Sequence, residues 1–456
     1  MSLFLAAALA AAAPAQRPVE VTVTRQGDAF EATYVLPRPA PAWGFFRSGL
    51  AAEDRQPWRP RSWTILTPGV RLERRGSYDA LVGEGGAAVP GTVKVRIAPY
   101  AGEVLSDYVP ALRLGGGGIA LFDGQFSLFS IGSADRLDRL GLDPQDGGIG
   151  DSGTRVDFRA PSGTLRLAGD TAGYRRASSA GTYGLFGVAN AVERNGMATV
   201  VDPAMPAWLA EDIRSFTPQV LGRYRRLLGS PGELRPTVLA SWAGADKPGA
   251  SLNGGVLKGL VLMRMSGQAA TRPHPPVRAL AHRYIAHESA HFWLGQAIDY
   301  DRVADNWIVE GGAELLAIRT LADSDPTFDA RKALQTSLTG CLSASAKGGV
   351  ADGAERQDFQ VKYDCGAILS LVAERVAGGD YPAFVRRLIA ANRNDRTVST
   401  AEWIALLESY PAGRGLGVRI RPLLAGPQAT PAGWTALLAS AGVPSAPGPD
   451  GRPGLL

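Results

Sequence analysis

Residues 285–296 read IAHESAHFWLGQ and hold two of the four histidines, His287 and His291, around Glu288 as H-E-x-x-H. On an α-helix, positions four apart share a face, so both imidazoles can reach one ion. Imidazole nitrogens suit Zn2+, and a catalytic zinc takes three protein ligands and keeps a fourth position for water. Glu288, beside the first histidine, can take a proton from a water whose pKa the metal lowers. The alternative is a pair of packing histidines one turn apart with Glu288 exposed. The carrier helix is expected from Pro276 to about Ile298, with Pro275 and Pro276 at its start, where a missing N–H costs nothing.

A third ligand should come from a second helix facing the first. NWIVEGGAELLA supplies Glu310, with 18 residues between it and His291. This pattern resembles the gluzincin metallopeptidases of the aminopeptidase N and leukotriene hydrolase type. Their signature is H-E-x-x-H-x18-E, typically A-H-E-x-A-H-x-W-F-G-N followed by W-L-N-E-G-F-A. The resemblance implies that His287, His291 and Glu310 bind zinc and that Glu288 is the general base. It also points to Tyr363, in V-K-Y-D-C-G-A-I-L-S-L-V-A-E, where the family has a Y-E-K-G-A-like helix start. A phenol there can donate to the oxyanion of the reacting carbonyl; alone, one tyrosine reads as structural. Glu314, one turn past Glu310, can accept the remaining N–H of a ligand histidine, or stand as a surface glutamate. His282 is turned off the ligand face, and His274 reads as a loop residue.

The pattern departs from the family in three places. Val309 stands for the usual asparagine. Gly312 stands for the usual phenylalanine, which lowers helix propensity and is expected to open space near the metal. The third is larger: the family's G-A-M-E-N strand, whose glutamate holds the substrate's free amine, reads here N-G-G-V-L-K-G-L-V-L-M-R-M. No Asp or Glu lies between Asp246 and Glu288, and Lys258 and Arg264 stand nearby. A cationic amine is repelled there, so peptide hydrolysis is better supported than aminopeptidase action. Such a strand can still bind substrate backbone by edge addition.

The 456 residues exceed what one core supports. Forty-five per cent hydrophobic and 20% charged residues exclude a disordered or fibrous chain. The net charge of +5 is spread out, and the basic run Arg223–Arg226 reads as a solvated helix face. No nucleic-acid module accompanies it, so no nucleic-acid partner is expected. Leu3–Ala13 is an apolar run too short to span a bilayer, and Ala13-Pro14-Ala15 supplies a small-x-small cleavage pattern. It reads as a signal peptide over 1–15 and implies a secreted or periplasmic protein with no membrane span after cleavage. No Lys or Arg precedes the run, and the alternative is a buried alanine-rich helix. Cys341 and Cys365 either bridge in an oxidising compartment or remain two buried thiols.

From 16 to 184 apolar residues alternate between Gly and Pro turns, as in Val19, Val21 and Val23, which predicts an N-terminal β domain. The glycines at 115–118 read as a turn. A zinc catalytic domain is expected over 185–330, with a helix over 206–228 and strands over 235–242 and 255–265. Helices should fill 331–440, and the Pro/Gly-rich 441–456 reads as a disordered tail. With the resemblance, the expected class is α+β: a β-sandwich-like domain, a thermolysin-like α/β catalytic domain, then C-terminal helices. The expected function is an exported zinc metallopeptidase acting on a peptide or protein substrate. The alternatives are a catalytically silent scaffold module on the same fold and a zinc hydrolase of a non-peptide substrate.

Overall fold

The computed structural model describes residues 17–456, leaving out 142–143, 148, 150–152, 169–175, 179–180, 188–190, 195, 233–235, 427–429 and 449–451. The expected signal segment lies outside the described residues. Those up to 187 form one compact unit and those from 191 onward a second.

Alternation builds the first unit. In the strand Glu20–Gln26, Val21 and Val23 are buried while Glu20, Thr22 and Thr24 face outward. This strand pairs antiparallel with Ala29–Val35 and parallel with Arg155–Arg159, inside a six-stranded sheet. Two four-stranded sheets complete the unit. One is ordered Leu128–Ile131, Ala42–Phe45, Tyr78–Gly83, Val70–Arg75; the other Leu165–Leu167, Tyr183–Phe186, Gly118–Phe122, Ala111–Leu114. Val21, Val95, Phe45, Leu81, Leu121 and Phe186 come from all three sheets and share one apolar core, so the sheet-rich domain is three-sheeted. Gly115–Gly117 is a tight turn between two strands, with Gly116 at φ +71°.

The second unit holds a five-stranded sheet of β1 (Ala191–Arg194), β2 (Met197–Val201), β3 (Thr237–Trp242), β4 (Ser251–Leu257) and β5 (Leu260–Ser266). Its order is β1-β2-β3-β5-β4; β2, β3 and β5 run parallel, and β4 is an antiparallel edge. Here the expected single strand over 255–265 proves to be a hairpin. Leu257 pairs with Leu260 across Lys258-Gly259, and Gly259 takes φ +69°, a tight turn hidden inside an apolar run. The long helix over 206–228 is present as α1 (Ala207–Leu228).

The motif helix, α2 (Pro275–Ala290), starts at the two prolines but stops well short of Ile298. His291 is its C-cap, and the chain then folds back through Gly295 at φ +128°, whose N–H donates to Ile298 O at 2.6 Å. The reversal needs a positive φ, which glycine adopts without strain, and it falls inside a run of apolar residues. Next come α3 (Trp307–Ser324), α4 (Ala330–Ser345), α5 (Val361–Val376), α6 (Tyr381–Ala391), α7 (Thr400–Glu408), α8 (Gly417–Ala425) and α9 (Pro431–Ser440). All share one core with the sheet, including Val261, Ile285, Ile308, Leu338, Ile368, Ile404 and Leu437. The helices past residue 330 therefore continue the second unit.

One further finding differs from expectation, and another decides between two open readings. Ser445–Pro447 and Pro453–Leu455 pair as a short antiparallel hairpin, and the Leu455 N–H donates to Gln335 Oε1 on α4 at 2.7 Å. Buried Pro453 and Leu455 give this Pro/Gly-rich stretch something to hold it. Cys341 on α4 and Cys365 on α5 form a disulfide, both fully buried.

Candidate active site

Three elements converge. His287 lies in the last turn of α2, His291 caps that helix, and Glu310 lies in the first turn of α3. The two Nε2 atoms are 3.2 Å apart, and each lies 3.4 Å from Glu310 Oε2. The opposite ring nitrogens are already engaged. His291 Nδ1 is 2.8 Å from the Leu294 carbonyl oxygen, and His287 Nδ1 is 3.2 Å from Glu314 Oε2. Both partners are acceptors, so both Nδ1 atoms carry a proton, and each Nε2 faces Glu310 Oε2 across a gap that a proton or a metal ion can bridge. Glu310 Oε2 is itself buried without a hydrogen-bond partner.

Three ligand-type atoms thus face one another in a buried space, which is repulsive unless a proton or a metal ion lies among them. A tetrahedron with bonds of about 2.0–2.1 Å has edges of roughly 3.3–3.4 Å, so the observed triangle fits a zinc-sized ion. Among the described residues this trio is the group with metal-ligand geometry.

The surroundings tune these donors. Burial works against a charge on His287, but the facing carboxylates of Glu310 and Glu314 outweigh it and raise its pKa to about 10 where a proton, not a metal ion, lies between them. Burial also pushes Glu310 and Glu314 upward. The histidines overcome it at Glu310, and His287 with Arg283 does so at Glu314, so both carboxyls stay below their usual range. Burial lifts Glu288 above the ordinary carboxylate value, against the pull of His291 and His287. Tyr363, in the first turn of α5, has its ring centroid 5.6 Å from that of His287. Its phenol is raised by burial and by the nearby charges of Glu310 and Glu288. Glu288, His287 and Tyr363 line a cavity of about 250 Å3 with Leu280, Tyr284 and Gln360.

The sequence-assigned residues His287, Glu288, His291, Glu310, Glu314 and Tyr363 therefore meet in one place. His282 points elsewhere: its Nε2 lies 2.8 Å from Asp212 Oδ2 and its ring stacks on Phe216 at 3.7 Å. That pair lines a larger cavity of about 480 Å3 that shares none of the cluster. His274 caps the start of α2.

The space expected beside Gly312 is filled, because a Cβ there would stand 2.6 Å from both Leu294 Cδ1 and the Tyr381 hydroxyl. The edge strand β4 and its partner β5 carry no acid. Tyr284 on α2 donates to Leu262 O at 2.7 Å, and Gly254 on β4 leaves room for that phenol: a Cβ there would lie 2.4 Å from its oxygen.

Two side chains that the sequence reading passed over touch the cluster. The ammonium of Lys362 donates to Glu310 Oε1 at 2.9 Å, and the guanidinium of Arg283 donates to Glu314 Oε1. Arg283 stands four residues before His287, a same-face spacing that marks it; Lys362 adjoins Tyr363 in sequence, the one local hint to its place.

The sequence matches no family model and no curated protein. Solved structures do match. An aminopeptidase N family protein from Idiomarina loihiensis superposes with a TM-score of 0.63 at 10% identity, over 92% of this chain and 78% of that one. Native yeast LTA4 hydrolase superposes with 0.52 at 12% identity, over 91% and 68%. The likeness at these identities is one of fold: the chain has the mixed α/β architecture of those two proteins. Within that architecture it carries a His-His-Glu cluster. No helix among the described residues is long and apolar enough to cross a membrane.

Proposed function

We propose that this chain is an exported zinc-dependent metallopeptidase that hydrolyses peptide bonds. The observation that carries the reading is the convergence of His287 Nε2, His291 Nε2 and Glu310 Oε2 at 3.2–3.4 Å with their other atoms already bonded. When bound, zinc supplies Lewis acidity to the scissile carbonyl and to a water molecule. Glu288, with its affinity for a proton raised by burial, takes the water proton and passes it to the leaving amine. Tyr363 keeps its phenolic proton to high pH and donates it in a hydrogen bond to the carbonyl oxygen as negative charge develops there. The edge strand β4 offers backbone pairing to an extended substrate. With no acid on β4 or β5 to hold a free amine, the reading favours bonds within a peptide over N-terminal residues. The Cys341–Cys365 disulfide supports an oxidising compartment, as does the leader-like N-terminus.

The missing acid also favours a second reading, a silent scaffold on this fold. One experiment separates them: zinc per chain, and cleavage of a mixed peptide library by wild type and Glu288→Gln, followed by mass spectrometry. The peptidase reading expects about one zinc in both proteins and turnover at least about a thousandfold lower in the variant. Zinc in both and cleavage by neither establishes the scaffold.

A further inference from the structure

We infer that Lys362 is a positioning residue of the metal site, one that holds Glu310 as a single-oxygen ligand and weakens the grip on a divalent cation. The inference rests on the metal-site reading above and goes beyond it. Glu310 divides its two oxygens: Oε2 faces the histidine nitrogens at 3.4 Å, and Oε1 receives the Lys362 ammonium at 2.9 Å. With Oε1 engaged by the ammonium, Oε2 is the oxygen this carboxylate turns to the cluster. The contact is half-buried, with side-chain exposures of 25% and 14%, so the lysine charge is screened less than on an open surface.

Three features fix Lys362 in place. It sits in the first turn of α5, which meets α3 backbone to backbone at Gly366 and Gly311. Cys365, three residues on, ties that turn to α4. The ammonium also lies 5.0 Å from the centre of the Tyr363 ring.

Glu314 repeats the arrangement, with Oε2 toward His287 and Oε1 held by Arg283. Glu288, Glu310 and Glu314 bring three negative charges to the neighbourhood, and Lys362 with Arg283 return two positive ones. The shell keeps one net negative charge for a dication. Removing Lys362 restores a second, which strengthens cation binding and makes the Glu310 carboxylate a better donor. The lysine thus trades metal affinity for a more electron-poor, more strongly polarising ion.

The test uses the full-length protein, stripped of metal and titrated with zinc at neutral pH against a chromophoric chelator. Lys362→Met keeps most of the stem and removes the charge; Lys362→Gln is a second neutral variant should the first fail to fold; Lys362→Arg keeps the charge. Melting curves establish that each variant is folded. The neutral variants should bind zinc about tenfold more tightly than wild type, about 1.4 kcal/mol, and lose it to the chelator more slowly. The arginine variant should stay within about threefold of wild type. Equal or weaker binding by a folded neutral variant overturns the inference. Wild type that binds no zinc overturns the metal-site reading itself, and this inference with it.

Discussion

Replacing Gly366 with alanine should disable the site without altering any residue in it. At the α3–α5 crossing, a Cβ on residue 366 would stand 2.4 Å from the Trp307 carbonyl oxygen and 2.7 Å from Gly311 Cα. Ordinary contact begins at 3.4 Å. Both neighbours are main-chain atoms, so no side-chain rotation relieves the overlap, and the helices must part by about 1 Å. Overpacking of this kind costs about 1–3 kcal/mol. The chemical consequence follows from which helix carries what. Glu288 and His287 ride on α2 and Glu310 on α3, whereas Tyr363 lies one turn before Gly366 on α5. Parting α5 from α3 moves the phenol relative to the base and the metal ligands. A misplacement of about 1 Å is worth roughly a hundredfold in rate. Gly366→Ala is therefore expected to retain one zinc per chain, melt several degrees lower, and lose about a hundredfold in kcat/KM on the best library peptide. The assays are metal analysis, calorimetry and single-peptide kinetics. Wild-type melting and kinetics in this variant would refute the claim that the glycine crossing sets the site geometry.

Two other predictions concern stability. Asp123 of the N-terminal unit is buried, its Oδ1 accepting from the Thr182 N–H at 2.7 Å and its Oδ2 lacking a hydrogen-bond partner. Burial raises its pKa to about 7. Between an unfolded value of about 4 and that value, the native state holds a proton the unfolded chain has lost. The associated stability is complete below about pH 4 and is lost as pH rises to about 7. Asp123→Asn should flatten that stretch of the melting-temperature profile, and an unchanged slope would count against the assignment. The Cys341–Cys365 bridge closes a sequence separation of 24 residues, which constrains the unfolded chain by about 3 kcal/mol. Replacing both cysteines with serine should lower the denaturation free energy by about that amount; an unmoved unfolding midpoint would mean the bond does not persist in solution.

Periodicity made the fold class legible, because it records which faces are buried. Val21 and Val23 announce a strand, and Leu209 with Ile213 a helix, since both patterns are local. Readings failed where a glycine reversed the chain inside an apolar run. Lys258-Gly259 divides what looked like one strand into β5 and the edge strand β4, and Gly295 turns the chain back just past the end of α2. Hydrophobicity is blind to both, because the deciding variable is a positive φ. The terminal hairpin was hidden for another reason: a Pro/Gly-rich stretch reads as disordered until a partner such as Gln335 is in view.

The same distinction runs through the site. The cluster was legible because chemistry restricts both residue type and spacing: two histidines one turn apart, a glutamate between them, another 18 residues on. Its supports were not, because each depends on which surfaces three helices present to one another. Gly311 resembles any helix-weakening glycine until Gly366 is seen against it, and Lys362 resembles any surface lysine until Glu310 Oε1 lies 2.9 Å away. Those supports bear on the substrate. Three carboxylates, two cations and a bound dication leave the loaded site with one net positive charge, and β4 and β5 add no acid to offset it. A protonated amine is held off by such a field, while an uncharged internal peptide bond is indifferent to it. On the proposed peptidase reading, selectivity would rest on backbone pairing along β4 and on the shape of the cavity between Leu280, Tyr284 and Tyr363. On the same reading, internal cuts in the library assay are the expected outcome, and single-residue losses from N-termini would refute it.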